Sequence, residues 1–239
     1  MNPPFFGTKI LDGITLDDIE PLIDREALFA GRWQFRQGMG PEEWEKLKQE
    51  RAIPTFERLL SVCRAKSIIR PMAVYGYFEC RQQGNGLIVT DGARSFRFDF
   101  PRERQEPHRC LADFFPEGFV AMQLVTAGGK VTEAGADLFA RHEYSEMFFL
   151  KGLAAAAAAA AAAFCHRLIR EELGAGADAG ERFSPGYPVF PDILDQKKIA
   201  ALLKPGRIGV SLTKTCQMVP EYSTSAIVSV DSKAAHFRP

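Results

Sequence analysis

The sequence has no charge of one sign in excess, no paired cysteine motif and no leader-like start. Thirty basic residues meet thirty acidic ones, so the electrostatic footprint of a general nucleic-acid binder or a polybasic membrane binder is missing. Partners are expected to be recognised locally, with neither nucleic acid nor membrane among them. Five cysteines, Cys63, Cys80, Cys110, Cys165 and Cys216, are odd in number and scattered, with no C-x-x-C. That pattern argues against a disulfide framework and against a zinc site, and it fits a reducing cytoplasm. The first ten residues, M-N-P-P-F-F-G-T-K-I, lack a basic segment followed by a long apolar run, and the only long uncharged stretch is polyalanine. H-E-x-x-H, G-x-S-x-G and a Walker loop do not occur. The four histidines are spread out; His142 and His166, on helical sequence, read as surface or satisfied core residues, and Cys216 as a packed, inert thiol.

What is present suits a packed globular protein: 239 residues, 46% hydrophobic and 11% aromatic. Thr15 and Asp18 form a capping-box pattern before a short helix through Ile19 to Ile23, and Asp24 is placed to cap the L-F-A-G-R-W segment that follows. Pro41 opens an acidic helix start and Pro54 interrupts it, which predicts two helices between Pro41 and Lys66. From Met72 the period becomes two. M-A-V-Y-G-Y-F, then G-L-I-V-T after Gly84-Asn85-Gly86, then S-F-R-F-D-F read as an antiparallel meander, and F-V-A-M-Q-L-V-T as a further strand.

Helical sequence starts at Thr132 or Glu133 and runs through R-H-E-Y-S-E-M, ten alanines (Ala154 to Ala163) and F-C-H-R-L-I-R-E-E-L to a stop at Gly174. Alanine is the best helix former, so one helix of roughly thirty residues, about 45 Å, is predicted from Tyr144. It is either closely packed or a spacer, and Phe149, Leu153, Phe164 and Leu168 on one face favour packing. G-A-G-A-D-A-G follows a helix and not a strand, so it reads as a loop and not as a dinucleotide fingerprint. D-Q-K-K-I-A-A-L-L predicts a helix; R-I-G-V-S-L-T and S-T-S-A-I-V-S-V predict strands. The fold expected is α+β: a mainly antiparallel twisted sheet flanked by helices, one of them long, as a single domain over 1–239 with its core about 14–233.

One stretch stands apart. Arg182 to Pro191, R-F-S-P-G-Y-P-V-F-P, carries three prolines and a glycine around an arginine and a tyrosine. Prolines remove backbone donors, so the stretch is expected to be rigid, extended and largely outside any sheet. Such a loop either connects elements or presents Arg182 as a two-pronged donor to a carboxylate or phosphate, with Tyr187 and Phe190 offering flat faces to a ring.

The order of the pieces resembles the activation (reactivation) domain of cobalamin-dependent methionine synthase. The matching segments are L-I-D-x-x-x-L-F-x-x-R-W at Leu22 to Trp33, C-L-A-D-F at Cys110 to Phe114, R-x-x-P-G-Y-P-x-x-P at Arg182 to Pro191, S-L-T-x-x-x-x-M-x-P at Ser211 to Pro220, and D-S-K at Asp231 to Lys233. The resemblance implies that Arg182 grips the carboxylate of S-adenosylmethionine, that Ser184, Gly186 and Tyr187 line the adenosine site, and that Asp24 faces the ligand's amino group. It implies no metal site and no catalytic residue in this chain, which would not be catalytic alone. Cobalamin would be met only through a partner, a cobalamin-dependent methionine synthase or another corrinoid protein, with a flavodoxin- or ferredoxin-type electron donor. No D-x-H-x-x-G corrinoid motif, homocysteine zinc site or folate barrel is present, so action as a free-standing reactivation subunit is expected. The departures favour an alternative, a non-catalytic corrinoid-binding module. The family's acidic helix residue falls within the alanine run, and its late tyrosine is replaced in S-A-I-V-S-V.

Overall fold

The computed structural model describes residues 2–237, and in it the strand-like segments assemble around one long strand. In chain order the strands are β1 (Gly7–Leu11), β2 (Met72–Gln83), β3 (Gly86–Thr90), β4 (Ser95–Asp99), β5 (Gly118–Thr126), β6 (Glu181–Phe183), β7 (Ser211–Leu212), β8 (Met218–Val219) and β9 (Ser223–Ser229). Seven of them form an antiparallel sheet ordered β4-β3-β2-β5-β9-β6, with β1 also on β2. The twelve residues of β2 are enough to hold two partners along one edge: β1 pairs with Ala73 to Tyr77 and β3 with Glu79 to Gln83. β7 and β8 make a separate two-stranded ribbon.

Because side chains alternate along a strand, the sheet buries both faces. Tyr75, Tyr77, Ala121 and Val228 point to one core, beneath the long helix. Val74, Phe78, Met122 and Ile227 point to the other, beneath Phe98, Phe100, Phe190 and a helix over Asp195–Leu203. The helices are α1 (Leu16–Ile19), α2 (Pro41–Leu47), α3 (Ile53–Lys66), α4 (Lys130–Ala140), α5 (Tyr144–Glu172) and α6 (Asp195–Leu203). Thr15 and Asp18 do form a capping box at α1, and Asp24 accepts from the Ala27 amide at 2.9 Å. α2 and α3 are joined by a single widened turn over Lys48–Ala52, with Pro54 in the first turn of α3, where its missing amide costs nothing.

α5 is the 29-residue helix expected from the alanine run, and it is packed, not a spacer. Ala154, Ala157 and Ala161 are fully buried, and the small side chains let neighbours reach the helix backbone. Gln123 of β5 donates to the carbonyl of Ala162 at 3.0 Å, and the Trp33 indole lies so close to Gly152 that a β-carbon there would be 2.6 Å from the ring. The far end is anchored by Tyr75 and Tyr77, whose hydroxyls donate to the two carboxylate oxygens of Glu172 at 2.9 and 2.8 Å. The helix then ends as expected at Gly174, whose φ of +65° turns the chain so that Ala175 donates back to Arg170. By length and composition α5 is apolar enough to cross a membrane, yet seven of its ten consecutive alanines are buried inside the protein.

The structure corrects several expectations. The helical sequence is not continuous from Thr132: His142 adopts φ +61°, separating α4 from α5. R-I-G-V-S-L-T is not a full strand, because Pro205 starts a 3-10 turn over Pro205–Ile208 and only Ser211–Leu212 pairs. Most relevant to the site, the proline-rich stretch is not outside the sheet. Its first residues form β6 on the edge of β9, with Arg182 opposite Val228. The prolines begin only at Pro185, so residues 181–183 keep the amides that pairing needs. Gly180, at φ +74°, lets β6 approach so closely that a β-carbon there would sit 1.8 Å from the Ser229 carbonyl oxygen.

Candidate functional site

A cleft of about 540 Å³ opens where β6 and its following loop meet β9, β5 and α5. Register sets its floor. Arg182 stands opposite Val228, whose side chain belongs to the core beneath α5, so the guanidinium is directed to the α5 side of the sheet. Gln123 of β5 stands opposite Ala226, two residues before Val228 and on the same face. Ala159 and Ala162 of α5 close the cleft from above. No aromatic or charged side chain from α5 enters there.

Past β6 the loop is held by its own backbone. Gly186, at φ +96°, donates to the Phe190 carbonyl at 2.8 Å, and Phe190 donates to Tyr187 at 2.8 Å. The Ser184 hydroxyl donates to the Ser225 carbonyl at 2.7 Å, and the Ser225 hydroxyl in turn donates to Gln196 of α6 at 2.6 Å. Phe190 is not a face for a ring ligand: it is fully buried against Phe98 and Phe100 and serves as the loop's anchor. Tyr187, 64% exposed, stands at the rim.

Of the five residues singled out from the sequence, Arg182, Ser184 and Tyr187 line this cleft, and Gly186 shapes the turn between them. Asp24 is not among the lining residues; it is exposed and caps the turn at Ala27. Gln123 and Thr224 were missed. Gln123 had a signal available, since it is the only amide or charge in the otherwise apolar F-V-A-M-Q-L-V.

The electrostatics are unusual. Among the described residues, five buried side-chain atoms have no hydrogen-bond partner; two of them, Gln123 Oε1 and Arg182 Nη1, belong to residues that line the cleft, and two more, His166 Nε2 and Arg170 Nε, lie behind it on α5. Ala159, Ala162, His166 and Arg170 recur at spacings of three and four on α5, one stripe of the helix. Burial first, then Arg170 and Arg182, push the His166 imidazole from 6.5 down to about 3, so it is neutral at neutral pH. It is therefore not the satisfied core histidine expected. Burial also lowers the Arg182 guanidinium, against the pull of Glu181, without removing its charge. Each orphaned buried group costs about 1–3 kcal/mol, and an unpaired donor and an unpaired acceptor lining one cleft mark a place shaped for something other than protein.

A larger cleft of about 720 Å³ lies among α3, α4 and α5, where Arg58 pairs with Glu146 at 2.7 Å and Arg141 with Glu143 at 3.3 Å. It holds none of the orphaned atoms. Among the described residues no group of three histidine, cysteine or acidic side chains could hold a metal. All five thiols are buried and free, with Cys63 and Cys80 pushed up to about 12 by burial.

Residues 15–238 match the family of vitamin B12 dependent methionine synthase activation domains. The chain is 33% identical over 272 residues to a methionine synthase of Mycobacterium tuberculosis and 31% identical over 273 residues to one of Mycobacterium leprae. Each alignment covers 98% of this chain but 23% of the relative, so the chain spans under a quarter of their length. A crystal structure of the MetH reactivation domain bound to AdoHcy superimposes with a TM-score of 0.84 at 21% identity, covering 98% of this chain and 82% of that one, which establishes a shared fold.

Proposed function

Because the chain belongs to the family of vitamin B12-dependent methionine synthase activation domains, we propose that its Arg182 cleft binds S-adenosylmethionine and that the domain docks on a corrinoid domain to reactivate it. The observation that carries this reading is Arg182 Nη1, a buried cationic donor lining a cleft and lacking an acceptor. A ligand carboxylate supplies the missing acceptor, and a charge-assisted contact of this kind contributes about 1.5–3 kcal/mol. Ser184 and Gly186 fix the loop that carries the ligand's adenosine, and Tyr187 at the rim offers it a ring face.

Arg182 orients the ligand from its carboxylate end, the cleft walls shelter it, and the open rim leaves its methyl group accessible to a docked partner. An electron from a flavodoxin- or ferredoxin-type donor and the sulfonium methyl of S-adenosylmethionine together convert the partner's cob(II)alamin to methylcobalamin, leaving S-adenosylhomocysteine. Cobalamin is held by the partner, and this chain supplies the methyl donor and the docking face in the cytoplasm. The chain has its own two-sided core, which supports action in trans as a separate body.

One observation favours a second reading. α5 offers the cleft only alanine, and Asp24 lies outside it, so a corrinoid-binding module without ligand binding has the same fold. A single mixture separates the two: the purified chain, a methionine synthase corrinoid domain held as cob(II)alamin, reduced flavodoxin and S-adenosylmethionine. Appearance of the methylcobalamin spectrum is expected. A complex that forms without spectral change supports the second reading, and neither complex nor change removes both.

A further inference from the structure

Besides Arg182, Gln123 is the cleft-lining residue, among those described, with an orphaned atom, one that the ligand reading leaves unused. Its side chain is 1% exposed, and its Nε2 donates to the Ala162 carbonyl at 3.0 Å. A carbonyl only accepts, so this bond assigns the amide orientation and leaves Oε1 as the buried acceptor without a donor. Gln123 and Arg182 flank β9 on one face, opposite Ala226 and Val228. Strand spacing and rise put their Cα atoms roughly 12 Å apart, a gap that two long side chains reaching inward largely close.

The cleft therefore presents an unpaired donor and an unpaired acceptor together. The carboxylate and ammonium of an α-amino acid share one carbon, and they are the complementary pair. On the reading of the cleft as an S-adenosyl ligand site, on which this step rests, we infer that Gln123 Oε1 accepts a hydrogen bond from the ligand's α-ammonium group and makes the cleft selective for the zwitterion. A neutral amide suits the position. A carboxylate there would be taken up by Arg182 and would close the clamp on itself in the empty cleft. Glu181 is the competing acceptor, since it is the one carboxylate lining the cleft, but its Oε1 already accepts from the Arg182 amide at 2.8 Å.

The test is calorimetric titration of the whole chain with S-adenosylhomocysteine and with its analogue lacking the amino group, in the unaltered protein, Gln123→Met and Glu181→Gln. The unaltered chain is expected to prefer S-adenosylhomocysteine about tenfold, the gain of one well-placed polar contact. Gln123→Met is expected to abolish that preference while leaving the affinity for the analogue unchanged, which also shows that the variant is folded. Equal loss for both ligands, no loss, or a preference erased by Glu181→Gln would overturn the assignment alone. If the unaltered chain binds neither ligand, the reading of the cleft falls and this assignment with it.

Discussion

Arg182 stays charged at any pH the protein meets, and it sits beside a histidine that the same surroundings keep neutral. The consequence for stability has a definite sign. Unfolded, His166 takes up a proton as pH falls through 6.5; folded, it refuses one until about 3. Between those limits the unfolded state binds more protons, so stability drops as pH drops, by up to about 1.4 kcal/mol per unit. Urea midpoints at pH 7 and pH 5 are expected to differ by about 2 kcal/mol of stability more in the unaltered chain than in His166→Leu. An equal pH response in both proteins would show that His166 is not held as described. Legibility at this scale was uneven. Arg182 and Tyr187 could be picked out because prolines and a glycine announce a shaped loop, while Ser184 and Gly186 came only with the resemblance to the family. Gln123 left only a faint signal, one amide in an apolar strand, and the state of His166 left none, because either residue acquires its meaning from what lies across from it.

At the scale of elements, α5 was the most legible and the least informative feature. Ten alanines state a helix through propensity alone, yet an unbroken alanine run has no periodicity and hides which face is buried. The structure distinguishes them. Ala161 is fully buried, whereas Ala159 is exposed on the cleft side. Ala161→Leu forces extra methyl groups into filled space and is expected to cost about 1–3 kcal/mol in urea unfolding. Ala159→Leu is expected to leave stability within about 0.5 kcal/mol. Equal, small effects would mean that the helix is a spacer after all. β6 was hidden for the opposite reason: three prolines pull any reading of the segment towards loop, although the three residues before the first of them keep their donors and find an open edge on β9.

For the whole molecule, the strand-like period in β2, β3 and β4 foretold a meander, and the pairing across chain distance did the rest. β9, from the last part of the chain, inserts between β5 and β6 and thereby carries Arg182 to within reach of Gln123, which no local pattern states. The fold class and the antiparallel sheet were thus readable from periodicity. The cleft was not, since it belongs to three strands and a helix drawn from β5, α5, β6 and β9. The central claim is that this junction holds an S-adenosyl ligand by its carboxylate, and titration of the whole chain with S-adenosylmethionine, beside Arg182→Ala, tests it most directly. One site per chain is predicted, weakened at least about tenfold in the variant, the loss expected for one charged contact. No heat of binding with the unaltered chain, or the same affinity without Arg182, would contradict the account.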